Sequence, residues 1–334
     1  MNADANTIGI LMVGHGSPRA EANTGFIEIV NLVAARLGVP VLPTFFSLAK
    51  PDIPDQVARL AAEGVRHIVL MPYFLYTGQH VSRDIPALLA KCQADFPDVR
   101  LELLPTLQGD PALVDLVVER LLPLCPASPL PTEGKAIERR SHEIIDRQLG
   151  PLDGRDPAQR AILRRVIHAS ADFSFARSLR IHPQAVRQGL AAIRAGKPIL
   201  CDVKMLQAGI TRAGAEALCA ISEPQVIESA KARNITRAAA AMEHLADRME
   251  GAIVAVGNAP TALWKIMEIA ASGGPKPALV VGLPVGFVGA RESKLALIES
   301  GLCYIANTTP RGGSAVAAAA VNALALLSKE NSHA

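Results

Sequence analysis

Three histidines in this 334-residue chain stand where an imidazole can do chemistry. His168 lies inside an apolar helical pattern, RVIHASADF (Arg165–Phe173). Alone, a histidine among Val, Ile and Ala reads as a packed core residue, because His is intermediate in burial. Three glycine-marked loops downstream change that reading, since they supply the shaped, polar-rimmed cavity a proton-transferring histidine needs. His15 stands in GHGS (Gly14–Ser17), directly after an apolar run, and His80 stands in YFLYTGQHVSRDIP (Tyr73–Pro86). Imidazole suits divalent Co, Ni, Zn and Fe, so two histidines from separate loops could converge on one cleft and hold a metal with positions left open. Taken singly, each is an ordinary loop residue. His67 lies at the opposite end of its strand and is read as structural. His182, ahead of a proline, and His244, in a polar helix, are not read as catalytic.

The three loops are GNAPT (Gly257–Thr261), GLPVGFVGARES (Gly282–Ser293) and PRGGS (Pro310–Ser314), each following an apolar run and opening a helix. Glycine lets backbone N–H groups approach a ligand closely, and helix N-termini favour anions. Gly257, Asn258, Gly286, Gly312 and Ser314 are therefore candidates for holding carboxylates, against the plainer reading of tight strand-to-helix turns. No loop is a Walker or dinucleotide motif. Arg237 in NITRAAAAM and Arg212 in GITRAG are candidate carboxylate clamps, although each alone is an ordinary surface charge. Asp202 and Lys204 in CDVKM either pair with each other or line the same site. Trp264 and Phe287 could offer flat contact surface, with core packing as the default.

These groups need elements to position them. Before the segment PASPLPTEGK (Pro126–Lys135), apolar runs at Thr7–Val13, Val39–Phe46, Val65–Pro72 and Val99–Leu104 alternate with helical stretches at Glu21–Leu37, Pro54–Glu63, Arg83–Phe96 and Pro111–Leu124. Such alternation predicts a doubly wound parallel sheet. The Pro-rich segment resists regular structure and predicts a linker. After it, Lys135 to about Leu190 reads as helical with a break near Leu152–Asp156. PILCDV (Pro198–Val203) is a buried strand, and three strand–loop–helix units close the chain. The fold class is thus α/β, with two domains, each a mostly parallel sheet flanked by helices: residues 1–125, a linker at 126–135, and 136–334. Ligands in such sheets bind beyond the carboxyl ends of the strands.

Half the residues are hydrophobic and only 4% aromatic, which suits helices packed on parallel sheets. Five scattered cysteines without a CxxC pair predict reduced thiols and a cytoplasmic protein. The first residues lack a basic region ahead of the apolar run, and the Ala-rich stretch Ala315–Leu327 falls short of a span, so neither leader nor membrane partner is expected. Residues 1–125 carry a net charge of −4, and the remainder +7. A basic half could meet an anion. No recognised nucleic-acid motif is present, so a small polyanion is preferred to nucleic acid.

VGHGS and PDIPDQVARLAAEGVRHIVLMPYFLYTGQHVSRDIP make residues 7–122 resemble the small sirohydrochlorin cobaltochelatase family. The resemblance implies that His15 and His80 are metal ligands and insertion groups at a macrocycle cleft, with cobalt(2+) as substrate. The chain reads Phe45-Phe46-Ser47 where that family commonly has Phe-Leu-Glu, so the usual carboxylate is absent at Ser47. Iron as the metal, or a binding module without catalysis, are the alternatives for this half. Farther along, RRSHEII, RVIHASADF, ILCDVKMLQAGITRAG, NITRAAAAM, VGNAPTALW, GLPVGFVGARESK and RGGSA, in that order over residues 137–327, resemble precorrin-8X methylmutase. That family shifts a methyl group between neighbouring carbons of ring C of a corrin precursor, without redox cofactor or methyl donor. By resemblance His168 is catalytic, acting on the ring C nitrogen, and Ser141, Thr211 and Arg237 contact the macrocycle's periphery. Ser141 is followed by His142 where the family usually has phenylalanine. A polycarboxylate tetrapyrrole would account for the basic half, and both families imply a homodimer. The rivals are a non-catalytic corrinoid carrier and a metal-dependent hydrolase built on His15 and His80.

Overall fold

A computed structural model describes residues 8–125, 132–150 and 154–330. The chain divides into two compact units, residues 1–127 and 128–334. Of the expected linker, residues 126–131 lie outside the described residues, as do residues 152–153 of the expected break. Among the described residues no helix is long and apolar enough to cross a membrane.

In the first unit the apolar runs become β1 (Ile8–Gly14), β2 (Leu42–Phe45), β3 (His67–Pro72) and β4 (Arg100–Leu103). The stretches between become α1 (Ala20–Leu37), α2 (Ile53–Ala62) and α3 (Ile85–Asp95), with α4 (Pro111–Leu121) following β4. All strand pairs are parallel, in the order β2-β1-β3-β4. Alternation along β1 sends Leu11 and Val13 to the core shared with α2 and α3, and Met12 to the core under α1. Asp52 and Asp55 start α2 with a reciprocal capping box. From β1 the chain crosses to β2 on one side and then to β3 on the other. The crevice beyond the carboxyl ends of β1 and β3 is therefore the topological switch point.

The second unit opens with α5 (Gly134–Leu149), α6 (Pro157–Ser170) and α7 (Phe175–Ser178), then β5 (Leu179–Ile181) and α8 (Ala185–Arg194). Next come β6 (Ile199–Cys201), α9 (Lys204–Gly209), β7 (Ala217–Leu218), α10 (Pro224–Ala232) and α11 (Arg237–His244). The chain closes with β8 (Ile253–Val256), α12 (Pro260–Ala271), β9 (Leu279–Gly282), α13 (Ala290–Glu299), β10 (Tyr304–Asn307) and α14 (Ser314–Glu330). The sheet order is β5-β10-β9-β8-β6-β7, parallel except for the antiparallel β5–β10 edge. That edge corrects the helical reading of Lys135–Leu190. Leu179–Ile181 is a strand because Ile305 and Asn307 of β10 pair with it, a partner more than a hundred residues away.

Both faces of this sheet are covered, which is why β8 and β9 are buried at every position. Ile253, Ala255, Leu279 and Val281 face α6, α8, α9 and α14, whereas Val254, Val256 and Val280 face α10 to α13. Gly282 ends β9 where the sheet meets the second layer. A Cβ there would stand 2.6 Å from Leu297 Cδ2 and 3.1 Å from Leu263 Cδ1. Gly282→Ala is expected to cost about 1–3 kcal/mol through overpacking, read as a lowered urea midpoint. A midpoint equal to wild type would show that the two leucines yield freely.

Candidate functional site

In the first unit His15 leaves β1 and His80 opens a π-helical turn (His80–Asp84) after β3, so both stand at the switch point. The structure brings them together: their ring centroids are 5.4 Å apart, with Phe46 4.7 Å from His80 and 6.3 Å from His15. His15 Nδ1 donates to the Gly16 carbonyl at 3.2 Å, and His80 Nδ1 donates to Asp84 Oδ2 at 3.0 Å. In the neutral form of either ring this leaves Nε2 as the nitrogen with a free lone pair, the form that binds a metal. Arg83, then His80, hold the Asp84 carboxyl below the usual range, so it stays an acceptor. The sequence signal for Asp84 is its i,i+4 spacing from His80. Beside His15 lies a cavity of about 470 Å³ walled by Phe26, Phe45 and Tyr73.

Ser47 does a structural job here. Its backbone N–H and Oγ both donate to the His15 carbonyl, at 2.9 and 3.2 Å. Gly16 passes so close that a Cβ would stand 1.7 Å from the Ser47 carbonyl oxygen, at a φ of +88°. Among the described residues no group of three or more His, Cys, Asp or Glu is arranged to hold a metal ion. His67, at the amino end of β3, pairs with Glu102 at 2.9 Å.

In the second unit His168 is in the last turn of α6, and its Nδ1 lies 2.7 Å from Ser141 Oγ on α5. It lines a cavity of about 310 Å³ with Arg165, Thr211, Arg212 and Asn322. Asn322 of α14 shapes that wall: its Oδ1 accepts from the N–H groups of Thr211 and Arg212, and its Nδ2 donates to the Gly209 carbonyl. In the sequence Asn322 is only an interruption of an apolar run. Edge-on to His168, at 5.4 Å between centroids, stands His142. Burial first, then Arg164 and Arg165, push its pKa down, which favours the neutral ring.

The glycine loops meet at the carboxyl edge of the sheet. A Cβ on Gly257 would stand 2.7 Å from Ser314 Cα, and one on Gly312 2.3 Å from the Leu283 carbonyl oxygen. Gly286 donates its N–H to the Pro310 carbonyl at 3.1 Å. The N–H groups of Gly257, Asn258 and Ala259 all donate to Asp202, at 3.1, 2.8 and 2.8 Å. Of the two readings open for Asp202 and Lys204, mutual pairing is therefore not made. Asp202 is fully buried and takes backbone donors, whereas Lys204 is exposed. Burial pushes the Asp202 pKa up, against the three donors that favour its ionised form.

Lys294 of α13 is also fully buried. Its Nζ donates to the carbonyls of Pro284, Thr309 and Arg311 at 3.0, 2.5 and 2.7 Å. The sequence offers a signal for it, because Ala290, Lys294 and Leu297 share one buried helix face. Arg311 in turn binds Asp172 and Ser174, which follow His168 in the chain. Arg237 does not reach the His168 cavity; it is exposed at the start of α11, whose alanines pack under the opposite sheet face. Thr236 caps that helix and lies 2.6 Å from Thr261 of α12. Phe287 is 98% exposed and Trp264 47% exposed, so neither is a core residue.

A doubly wound unit with paired imidazoles and an α/β unit with a hydroxyl-anchored histidine match, respectively, the families of a chelatase-like domain and of an isomerase of cobalamin biosynthesis. Residues 136–327 match the family model for precorrin-8X methylmutase, and residues 9–123 match the CbiX model. The cobalt-precorrin-8 methylmutase of Priestia megaterium is 44% identical over 60% of this chain and 90% of its own length. The precorrin-8X methylmutase of Pseudomonas aeruginosa is 44% identical over 58% of this chain and 95% of its own. The crystal structure of precorrin-8X methylmutase from Thermus thermophilus superimposes with a TM-score of 0.56 at 40% identity, covering 59% of this chain and 98% of that one. The chain belongs to the precorrin-8X methylmutase family.

Burial pulls the Lys294 pKa down to about 7 from 10.5. Between those values the unfolded chain binds more protons at this residue than the folded one, so its contribution makes stability rise with pH across that window. Lys294→Met should remove this rise and cost about 3 kcal/mol, because three buried carbonyls lose their donor. Urea midpoints measured from pH 6 to 10 check both. A variant keeping the wild-type slope would show that another group titrates there.

Proposed function

We propose that the domain at residues 136–334 moves a methyl group between neighbouring carbons of ring C of precorrin-8X or its cobalt form, giving hydrogenobyrinate or cobyrinate. His168 is the catalytic residue of this reading. The supporting observation is the His168–Ser141 contact of 2.7 Å on the wall of the cavity that Thr211 also lines. With Nδ1–H donating to Ser141 Oγ, Nε2 is the ring nitrogen left for the substrate. Protonated there, it donates to the ring C nitrogen and draws electron density from the macrocycle. The methyl group then migrates within the ring, and the proton returns to the imidazole. The reaction is an isomerisation with no net oxidation, so it calls for neither redox cofactor nor methyl donor.

Ser141 and Thr211 hold the periphery of the polycarboxylate. The loops bearing Gly257, Asn258, Gly286, Gly312 and Ser314 shape the rim around it. The net charge of +7 beyond residue 125 favours such a substrate. In the domain at residues 1–125, His15 and His80 offer their Nε2 lone pairs to Co²⁺, the substrate ion for sirohydrochlorin. His15 accepts a pyrrole proton as the ion passes on. Both activities belong to a cytoplasmic homodimer in this reading.

His168→Ala should lower conversion of precorrin-8X to hydrogenobyrinate by at least about 10²-fold while product binding survives. The appearance of the product chromophore measures it, and unchanged turnover would remove the mechanism. Wild-type protein that binds the product but converts nothing would be a carrier. His80→Ala should abolish cobalt insertion into sirohydrochlorin, followed by absorbance. Equal insertion by that variant, or insertion of Fe²⁺ in preference to Co²⁺, would overturn the metal assignment.

A further inference from the structure

The His168 cavity is bounded by α6, by α14 and by the segment after α9 that carries Thr211 and Arg212. No Asp or Glu lines it, whereas the guanidinium-bearing Arg165 and Arg212 both do. Arg165 is already paired, its Nη1 lying 2.6 Å from Glu138 Oε1. Arg212 is exposed, and among the described residues its guanidinium has neither an ion pair nor a hydrogen bond. The cavity that holds the histidine therefore carries an unmatched positive charge on its rim.

An exposed arginine alone is an ordinary surface charge. What distinguishes Arg212 is the way its backbone is held. Gly209 passes so close to α14 that a Cβ there would stand 2.9 Å from Ala318 Cβ. Four residues farther along that helix, Asn322 accepts the N–H groups of Thr211 and Arg212 on Oδ1 at 3.1 and 3.0 Å. Its Nδ2 donates to the Gly209 carbonyl at 2.8 Å. Asparagine is a poorer helix former than the alanines around it, and its hydrogen bonds here serve the neighbouring segment rather than the helix. A guanidinium on a pinned backbone has less freedom to lose when it meets a ligand. Its planar fork matches the two oxygens of a carboxylate. A primary amide at the same place offers one acceptor, no charge, and an NH₂ that a guanidinium cannot accept.

We propose that Arg212 takes one carboxylate from the rim of the tetrapyrrole while the ring lies against His168, and that Asn322 is the positioning residue that sets Arg212 there. The inference rests on the methylmutase reading given above and adds to it the side chain that tells an acid rim from an amidated one.

The test titrates full-length protein with hydrogenobyrinate and, separately, with the same ring carrying primary amides in place of its carboxylates, both followed by absorbance. Wild-type protein should bind the acid more tightly. Arg212→Gln should raise the Kd of the acid about tenfold, as loss of a hydrogen bond to a charged group implies, and leave that of the amide unchanged. Arg212→Lys keeps the charge without the fork and should recover part of the loss. Asn322→Ala should weaken the acid in the same direction with Arg212 intact, and should add little to Arg212→Gln, because both act on one contact. With precorrin-8X the loss in kcat/KM should fall on KM. Thermal midpoints within a few degrees of wild type exclude misfolding as the cause, and the exposed Arg212 carries the test if Asn322→Ala unfolds. An equal loss for acid and amide, or none, overturns the carboxylate assignment. Additive losses in the double variant overturn the positioning role of Asn322. Wild-type protein that fails to convert precorrin-8X overturns the methylmutase reading and this inference with it, whereas conversion with the acid preference intact in Arg212→Gln overturns this inference alone.

Discussion

The arrangement of the second unit depends on one buried amine, that of Lys294. Lys294 presents three donors, and the carbonyls of Pro284, Thr309 and Arg311 accept all three. These acceptors lie on the loops after β9 and β10, so a single side chain joins the two loops. Arg311, fixed by its own carbonyl, extends its guanidinium to Asp172 and Ser174. These residues lie just beyond α6, and α6 carries His168. The amine under the sheet edge is thereby linked, through Arg311, to the segment that follows the helix carrying His168. Without it the glycine loops would have turns but no common anchor.

Asp202 plays the matching part at the loop after β8. It collects three consecutive N–H groups, those of Gly257, Asn258 and Ala259. The donors that the sequence offers to a ligand are consumed inside the protein, and the loop reaches the site as a rigid shape. The first unit uses the same economy with fewer parts. Asp84 and the Gly16 carbonyl each take an Nδ1–H, which turns both Nε2 atoms into lone-pair donors.

Much of this was legible beforehand. Apolar runs bounded by Gly and Pro located the central strands, because parallel strands buried on both faces are apolar throughout. His15, His80, Ser141 and His168 could be named from their motifs, and the structure places each pair in contact. What stayed hidden depends on distant partners. Leu179–Ile181 lies in a stretch that reads as helical and becomes a strand only on meeting β10. Asn322 looks like a flaw in an alanine-rich helix until the backbone of residues 209–212 is laid against it. Asp202 and Lys204, two apart in the chain, suggest a local pair, but burial of the acid selects backbone donors in the next strand's loop instead.

The glycines at the sheet edge carry one more consequence. Gly257 is pressed against Ser314, and Gly312 against Leu283, with no room for a side chain at either contact. Three loops that touch backbone to backbone, with Lys294 beneath two of them and Asp202 beneath the third, cannot open one at a time. The edge behaves as one cooperative opening unit. Amide hydrogens in all three loops should then exchange at a common slow rate, unlike ordinary surface loops, and the sheet edge should keep its shape throughout.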